Sequence, residues 1–418
     1  MSYVLGLRCV LCGAEYEPNE LAYVCPKHGH EGILDVVYDY RAIAGLLTRE
    51  VLAARRERSI WRYRELLPVE RPELASPLQV GWTPLYQARR LGERLGLENL
   101  WVKDDGRNPT ASFKDRASAV GVVKARELGK ATITAASTGN AASSVAGLAA
   151  SVGLSTVIFV PERAPVAKVA QLLLYGATVF MVRGSYDQAF DLCLHASERY
   201  GWYSRNTAYN PYLSEGKKTA ALEICEQLSW EAPDRIFVGV GDGCIIGGLW
   251  KGLRDLQALG LIDRVPRLMG VQAEGSAALA RAWAQGGEEV EPVEPATLAD
   301  SISVGIPRDR VKALRAVRET HGAYVTVSDE EILEAMRLLA REAGVFAEPA
   351  GAAPLAGLQS AVAQGLVDPG EWIVALVTGN GLKDVQSAMR AAGEPQRIDP
   401  TLEDLARAVR RLGMIRDA

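Results

Sequence analysis

The sequence contains no apolar run approaching the roughly 18 residues that a membrane-spanning helix needs, which excludes a helical membrane anchor. Its opening, MSYVLGLRCVLCG, has no long apolar segment ahead of a cleavage site, so no secretory leader is expected and the chain is assigned to the cytoplasm. Charge of one sign is also scarce. The net charge is −4, and Lys and Arg are dispersed rather than gathered in a stripe, which leaves nucleic acid and anionic membranes nothing to hold. Cysteine is sparse too: six residues, unevenly placed, do not make a secreted disulfide scaffold. There is no internal repeat and no low-complexity tract. What remains is an ordinary apolar content over 418 residues, enough for a large core divided among two or three domains.

The cysteines that are present open the chain. Cys9-Val-Leu-Cys12, a twelve-residue gap and Cys25-Pro-Lys-His28 have the two-knuckle spacing of a small zinc ribbon. Cys9, Cys12, Cys25 and His28 are the candidate ligands, with His30 two residues on. Such ribbons usually end in Cys, so a Cys3His zinc site and a metal-free knuckle both stay open. Cys193 and Cys225 read as small core residues.

The expected organisation is a ribbon-like segment over 1–38 and an Arg-rich helical arm over 39–80, broken by Pro68, Pro72 and Pro77. Beyond Gly81, β-branched runs (NLWVKDD, ATITAAS, STVIFVP, TVFMVRG, DRIFVGVG, RLMGVQAE, AYVTV, WIVALVTG) alternate with Ala/Leu-rich helical stretches. That alternation predicts parallel sheets covered by helices on both faces. Two doubly wound α/β domains fit: a small one over 125–213 and a large one from 81–124 and 214–400. The segment 401–418 carries a final surface helix.

Four stretches carry chemistry. Asn108-Pro-Thr-Ala-Ser-Phe-Lys114-Asp-Arg116 follows a strand and leads into a helix. Ser112 and Asp115 are expected to cap that helix. Lys114 then falls in its first turn, where the helix dipole disfavours a cation and frees a neutral amine for Schiff-base chemistry. A lysine alone in this position would more simply be a solvated one. Ser137-Thr138-Gly139-Asn140 also follows a strand and opens a helix, gathering hydroxyls and backbone N–H groups into an anion site suited to a carboxylate. Gly241-Asp242-Gly243-Cys244-Ile245 is a glycine-rich turn between strand and helix, the arrangement that cradles phosphate. Thr378-Gly379-Asn380-Gly381-Leu382-Lys383-Asp384 follows another strand.

In this order, over about 81–390, these stretches resemble the fold type II (tryptophan synthase β-like) pyridoxal phosphate enzymes. Within that family the Thr378 run and the N-terminal knuckle are similar to the threonine synthase branch. The resemblance implies that Lys114 is the Schiff-base lysine, supported by Phe113. It implies that Ser137, Thr138, Gly139 and Asn140 hold the substrate carboxylate, with Asn140 also on the cofactor's phenolic oxygen. It further implies that Gly241, Asp242, Gly243, Cys244 and Ile245 hold the cofactor phosphate and that Thr378 faces the pyridine nitrogen. A hydroxyl there makes a weaker electron sink than a carboxylate partner would, favouring elimination and replacement over transamination. The implied reaction is γ-elimination of phosphate from O-phosphohomoserine and addition of water at Cβ to give L-threonine, in a homodimer whose small domain closes over the substrate.

Three residues depart from the pattern. Ala111 stands where Gly is commoner, and Asp242 and Leu213 stand where the branch carries Asn and Arg. Thr207, Arg205, Lys217 and Lys218 are the candidates to supply the missing charge. The departures keep open a threonine or serine deaminase and a cysteate-type β-replacement synthase. A regulatory or metal-storage protein with an inactive body is a further reading, opposed by the intact Lys114, Ser137–Asn140 and Thr378.

Overall fold

The computed structural model describes residues 3–18, 20, 23–164 and 166–414. Residues 1, 2, 19, 21 and 22 of the ribbon-like segment, residue 165 of the small unit and residues 415–418 of the final segment lie outside the described residues. The chain begins as a three-stranded antiparallel sheet of β1 (Val4–Cys9), β2 (Glu15–Tyr16) and β3 (Leu34–Tyr38), in the order β2-β1-β3. Leu34, Val36 and Tyr38 alternate inward along β3, as the period of two requires. The ribbon is bolted to the body by polar contacts. Tyr38 donates to Glu215 at 2.9 Å, Lys251 donates to the Val36 carbonyl at 2.8 Å, and Lys312 pairs with Asp35 at 3.1 Å.

The arm is not one helix. Short α-helices at Tyr40–Ala44 and Arg49–Ala54 are followed by 3-10 turns at Ile60–Leu66, with Tyr63 outside helical geometry. Tertiary anchors override local periodicity here. Tyr63 and Arg62 both bond Glu226, at 2.6 and 2.9 Å, and Tyr40 bonds Asp255 at 2.6 Å.

The larger sheet contains β4 (Leu85–Gln87), β5 (Asn99–Asp104), β10 (Arg235–Gly239), β11 (Arg267–Ala273), β12 (Ala323–Val327) and β13 (Trp372–Val377). Their order is β12-β11-β10-β13-β5-β4, parallel except for the edge strand β4. Successive side chains of its central strands feed two cores. Ile236, Val238, Val374 and Leu376 join one; Phe237, Ile373 and Val377 join the other. Helices therefore cover both faces, which is why β10 after Arg235 and β13 read as continuous apolar runs instead of alternating.

The smaller sheet, β6 (Thr132–Ala136), β7 (Ser155–Pro161), β8 (Thr178–Val182) and β9 (Tyr203–Ser204), runs β8-β7-β6-β9, all parallel. All eight runs named from the sequence are strands. Beyond Gly81 the runs it missed, β4 and β9, are too short for periodicity to register. The final helix spans Leu402–Arg411. Among the described residues, no helix is long and apolar enough to cross a membrane.

Candidate active site and metal cluster

The four chemistry-bearing stretches all leave the carboxyl ends of parallel strands: β5 and β13 side by side, β10 next to β13, and β6 in the small sheet. That is where an open α/β sheet leaves room for a ligand. Backbone bonds lock the first and last together. The Phe113 N–H donates to the Thr378 carbonyl at 2.8 Å, the Asn380 N–H to the Ala111 carbonyl at 3.1 Å, and the Glu348 N–H to the Gly379 carbonyl at 3.0 Å. To make this turn Ala111 takes φ of +65°, a left-handed conformation that glycine adopts without strain.

Lys114 is the first residue of the helix Lys114–Glu127. The expected cap by Ser112 and Asp115 does not form. The Ser112 hydroxyl has no hydrogen-bond partner, while the Asp115 carboxylate turns back to accept from the Thr110 N–H and hydroxyl at 2.7 and 2.5 Å. The following Arg116 faces away from the cleft and is fully buried. It pairs with Asp105 at 2.6 Å and Glu223 at 2.5 Å, and Lys103 reaches Glu223 at 2.7 Å. This balanced cluster of two cations and two carboxylates fixes the helix that presents Lys114.

The Lys114 amine is half-buried and forms no hydrogen bond or ion pair among the described residues. Burial, and after it the nearby cations Lys217 and Arg205, lower its pKa to about 8 against the opposing pull of Glu348. On the order of a tenth of it is therefore neutral at pH 7, against fewer than one in a thousand for a free lysine. The sequence argument reached the same neutral amine through the helix dipole; burial is the larger cause.

Asn140 opens the helix Asn140–Ala150 and donates to Glu348 Oε1 at 2.7 Å. Glu348 was missed in the sequence. It precedes Pro349 at a helix start yet caps nothing. Instead its carboxylate turns to Asn140, and a Cβ on Gly379 would lie 2.2 Å from its Oε1. Burial raises its pKa, against the pull of Lys114. The only available signal was a carboxylate opening an otherwise apolar helix. Thr138, Gly139, Asn140, Glu348 and Lys383 line a cleft of about 90 Å³ between the two sheets' loops. Ser137 stands back from it, its hydroxyl accepting from the Gly139 N–H at 3.2 Å. Thr378 is buried at the end of β13.

The turn 241–245 has the shape of an anion cradle. Gly243 has φ of +90°, and a Cβ there would lie 2.6 Å from Ala313 Cβ. The helix Cys244–Ala258 that follows has no side-chain cap, so its first N–H groups are free for a ligand. Asp242 does not leave an unpaired charge there: Arg308 donates to it through N–H at 3.3 Å and guanidinium at 3.5 Å. Leu213 is a core residue packed toward Gly121 on the Lys114 helix. Of the four proposed substitutes for its charge, Lys218 is excluded by position. It is buried between Glu215 and Asp255, at 2.6 Å from each. A neutralisable amine, an uncapped helix terminus on a glycine turn and a hydroxyl at a strand end together fit pyridoxal phosphate.

At the other end of the molecule the ligand atoms of Cys9, Cys12, Cys25 and His28 all lie within 4.8 Å of one another. His28 Nδ1 is 3.8 Å from Cys9 Sγ and 3.7 Å from Cys25 Sγ. A tetrahedron with Zn–S of about 2.3 Å and Zn–N of about 2.0 Å has ligand separations of about 3.5–3.8 Å, so the set fits zinc. His30 stacks on Tyr209 instead, with ring centroids 5.7 Å apart.

Comparison with known proteins gives the family. A profile of the pyridoxal-phosphate dependent enzymes matches residues 77–379. A threonine synthase of Methanocaldococcus jannaschii is 40% identical over 407 residues, 97% of this chain and 99% of that protein. One from Methanosarcina acetivorans is 41% identical over 405 residues, 96% of this chain and 98% of its own length. Among solved structures, the processed form of threonine deaminase isoform 2 from Solanum lycopersicum superposes with a TM-score of 0.64 at 23% identity, covering 74% of this chain and 87% of that one. Maize serine racemase gives 0.61 at 22%, covering 79% and 92%. At those identities the two structures speak for the fold alone.

Proposed function

The chain belongs to the pyridoxal-phosphate dependent enzyme family, and from that premise we propose that it is a threonine synthase, a lyase converting O-phosphohomoserine and water to L-threonine and phosphate. The observation that carries the reading is the 40% identity to a threonine synthase across 97% of this chain. Asn140 on the cleft, and Lys114, the 241–245 turn and Thr378 in the stretches that leave the carboxyl ends of parallel strands, support it.

When bound, pyridoxal phosphate supplies a sink for the electrons that carbon acquires as its proton leaves. The protein's own groups do the rest. Lys114 Nζ would hold the cofactor, and its amine, with a pKa of about 8, can take and return protons in both directions. Thr138 and the N–H groups opening the Asn140 helix bind the substrate carboxylate. Glu348 orients the Asn140 carboxamide, which would bond the cofactor's oxygen; the Gly241–Ile245 turn would hold the cofactor phosphate, and Thr378 would supply a hydroxyl to its ring nitrogen. Closure of the small sheet's unit over the cleft excludes water during elimination. The proposal includes a domain division of 125–213 against 81–124 with 214–400, structural zinc on Cys9, Cys12, Cys25 and His28, and a homodimer in the cytoplasm.

The test is release of phosphate and L-threonine from O-phosphohomoserine, followed together with the cofactor's absorbance. No spectral change with that substrate and release of keto acid from L-threonine would replace the reading with a deaminase. One observation favours such a second reading: Leu213, where the branch has a cation, is in the core.

A further inference from the structure

Six basic side chains are fully buried: Lys103, Arg116, Arg205, Lys217, Lys218 and Lys312. Four have a carboxylate beside them. Lys103 and Arg116 share Glu223, Lys218 lies between Glu215 and Asp255, and Lys312 pairs with Asp35 at 3.1 Å. Arg205 and Lys217 make no ion pair among the described residues. Asp309, the acid that acts on Lys217 from a distance, is within ion-pair reach of Lys312 instead, at 3.7 Å. A buried cation without a counter-charge is costly, and two that influence each other more so. Burial pulls the Arg205 guanidinium down to about 10 and lowers the Lys217 amine as well.

Both cations stand at the glycine turn. Lys217 donates to the Thr207 hydroxyl at 3.0 Å, and that hydroxyl lies 3.3 Å from the sulfur of Cys244, the first residue of the uncapped helix Cys244–Ala258. Arg205 donates through Nε to Ser118 at 3.0 Å and lies over the backbone of Lys114. We propose that Arg205, Thr207 and Lys217 form, together with the N–H groups of the 241–245 turn, a buried seat for a phosphate monoester dianion. Two cations and a helix N-terminus match two negative charges, and the occupant supplies the counter-charge that the protein withholds. The seat also answers the loss of a cation at Leu213. This rests on the reading of the turn as a phosphate cradle.

Two sources of that dianion are at hand, the cofactor and a phosphorylated substrate. The full-length chain stripped of cofactor is titrated with pyridoxal phosphate and with pyridoxal, which lacks the phosphate. The holoenzyme is titrated with inorganic phosphate, and all three titrations are repeated for Lys217→Met, Lys217→Arg and Thr207→Val. Lys217→Met is expected to weaken one phosphate ligand by about tenfold or more, and Thr207→Val the same ligand by about threefold. Lys217→Arg should largely preserve binding, with pyridoxal affinity unchanged throughout. Loss on pyridoxal phosphate identifies the cofactor's phosphate as the occupant; loss on inorganic phosphate alone identifies the substrate's. Unchanged affinity for both ligands in folded Lys217→Met overturns the seat, and if that variant does not fold, unchanged affinity in Thr207→Val does so. None of these titrations needs turnover, so failure to convert O-phosphohomoserine would leave the seat standing.

Discussion

Replacing Arg116 by Met tests the electrostatic footing of the Lys114 helix. The side chain is fully buried, and its removal leaves Asp105 and Glu223 facing Lys103 alone, one uncompensated negative charge in the interior. Breaking a buried pair from one side costs about 3–5 kcal/mol. The structure offers an independent measure. Burial pushes the Glu223 carboxyl up, but Arg116 and then Lys103 overcome it and hold the pKa at about 2 instead of 4.5. A shift of that size is worth about 3 kcal/mol of preference for the ionised form. Because the folded pKa is depressed, this stabilisation is fully present above pH 4.5 and is lost as pH falls toward 2. In Arg116→Met the carboxyl no longer needs to be ionised, so the deficit relative to the parent should be largest at neutral pH and shrink as pH drops below 5. Urea unfolding followed by tryptophan fluorescence, at fixed cofactor concentration and at pH 7 and 4.5, measures both. A deficit under about 1 kcal/mol at pH 7, or one that grows on acidification, refutes the reasoning.

Three further outcomes are expected. Ala111→Gly removes a left-handed penalty of about 1–2 kcal/mol and returns about 0.4–1 kcal/mol of unfolded-chain entropy, so the urea midpoint should rise modestly; a fall would show that φ of +65° is not strained in this turn. Loading of cofactor onto the stripped chain should accelerate as pH rises from 6, pass half its maximum near 8 and level off about a unit above, since the Lys114 amine is a cation below its lowered pKa and neutral above it; a flat profile would mean the amine is already neutral at pH 6. Elemental analysis should find about one zinc per chain in the parent and none in Cys25→Ser, and a metal-free parent purified without chelator would leave the Cys3His knuckle as a fold without its ion.

The sequence by itself determined much of the cleft. Strand type was legible because a strand buried on both faces reads as a near-continuous apolar run, as β13 does along its whole length and β10 does after Arg235. The strand-end positions of the Lys114, Asn140, 241–245 and Thr378 stretches were legible because each follows an apolar strand run and opens a turn or helix. Only the tertiary structure decided matters of partnership. The exchange of the expected Ser112 cap for an Asp115–Thr110 bond, the Asp242 pairing with Arg308 and the Asn140–Glu348 contact all depend on directions that side chains take after packing. The assignment of Lys217 to the cleft and its neighbour Lys218 to the ribbon's footing has the same origin. Adjacent residues on a helix point about 100° apart, so one reaches the Thr207 hydroxyl and the other a pair of buried carboxylates. A sequence lists charges in order along a chain, whereas counter-charges are found across space, and that difference separates what could be read from what had to be seen.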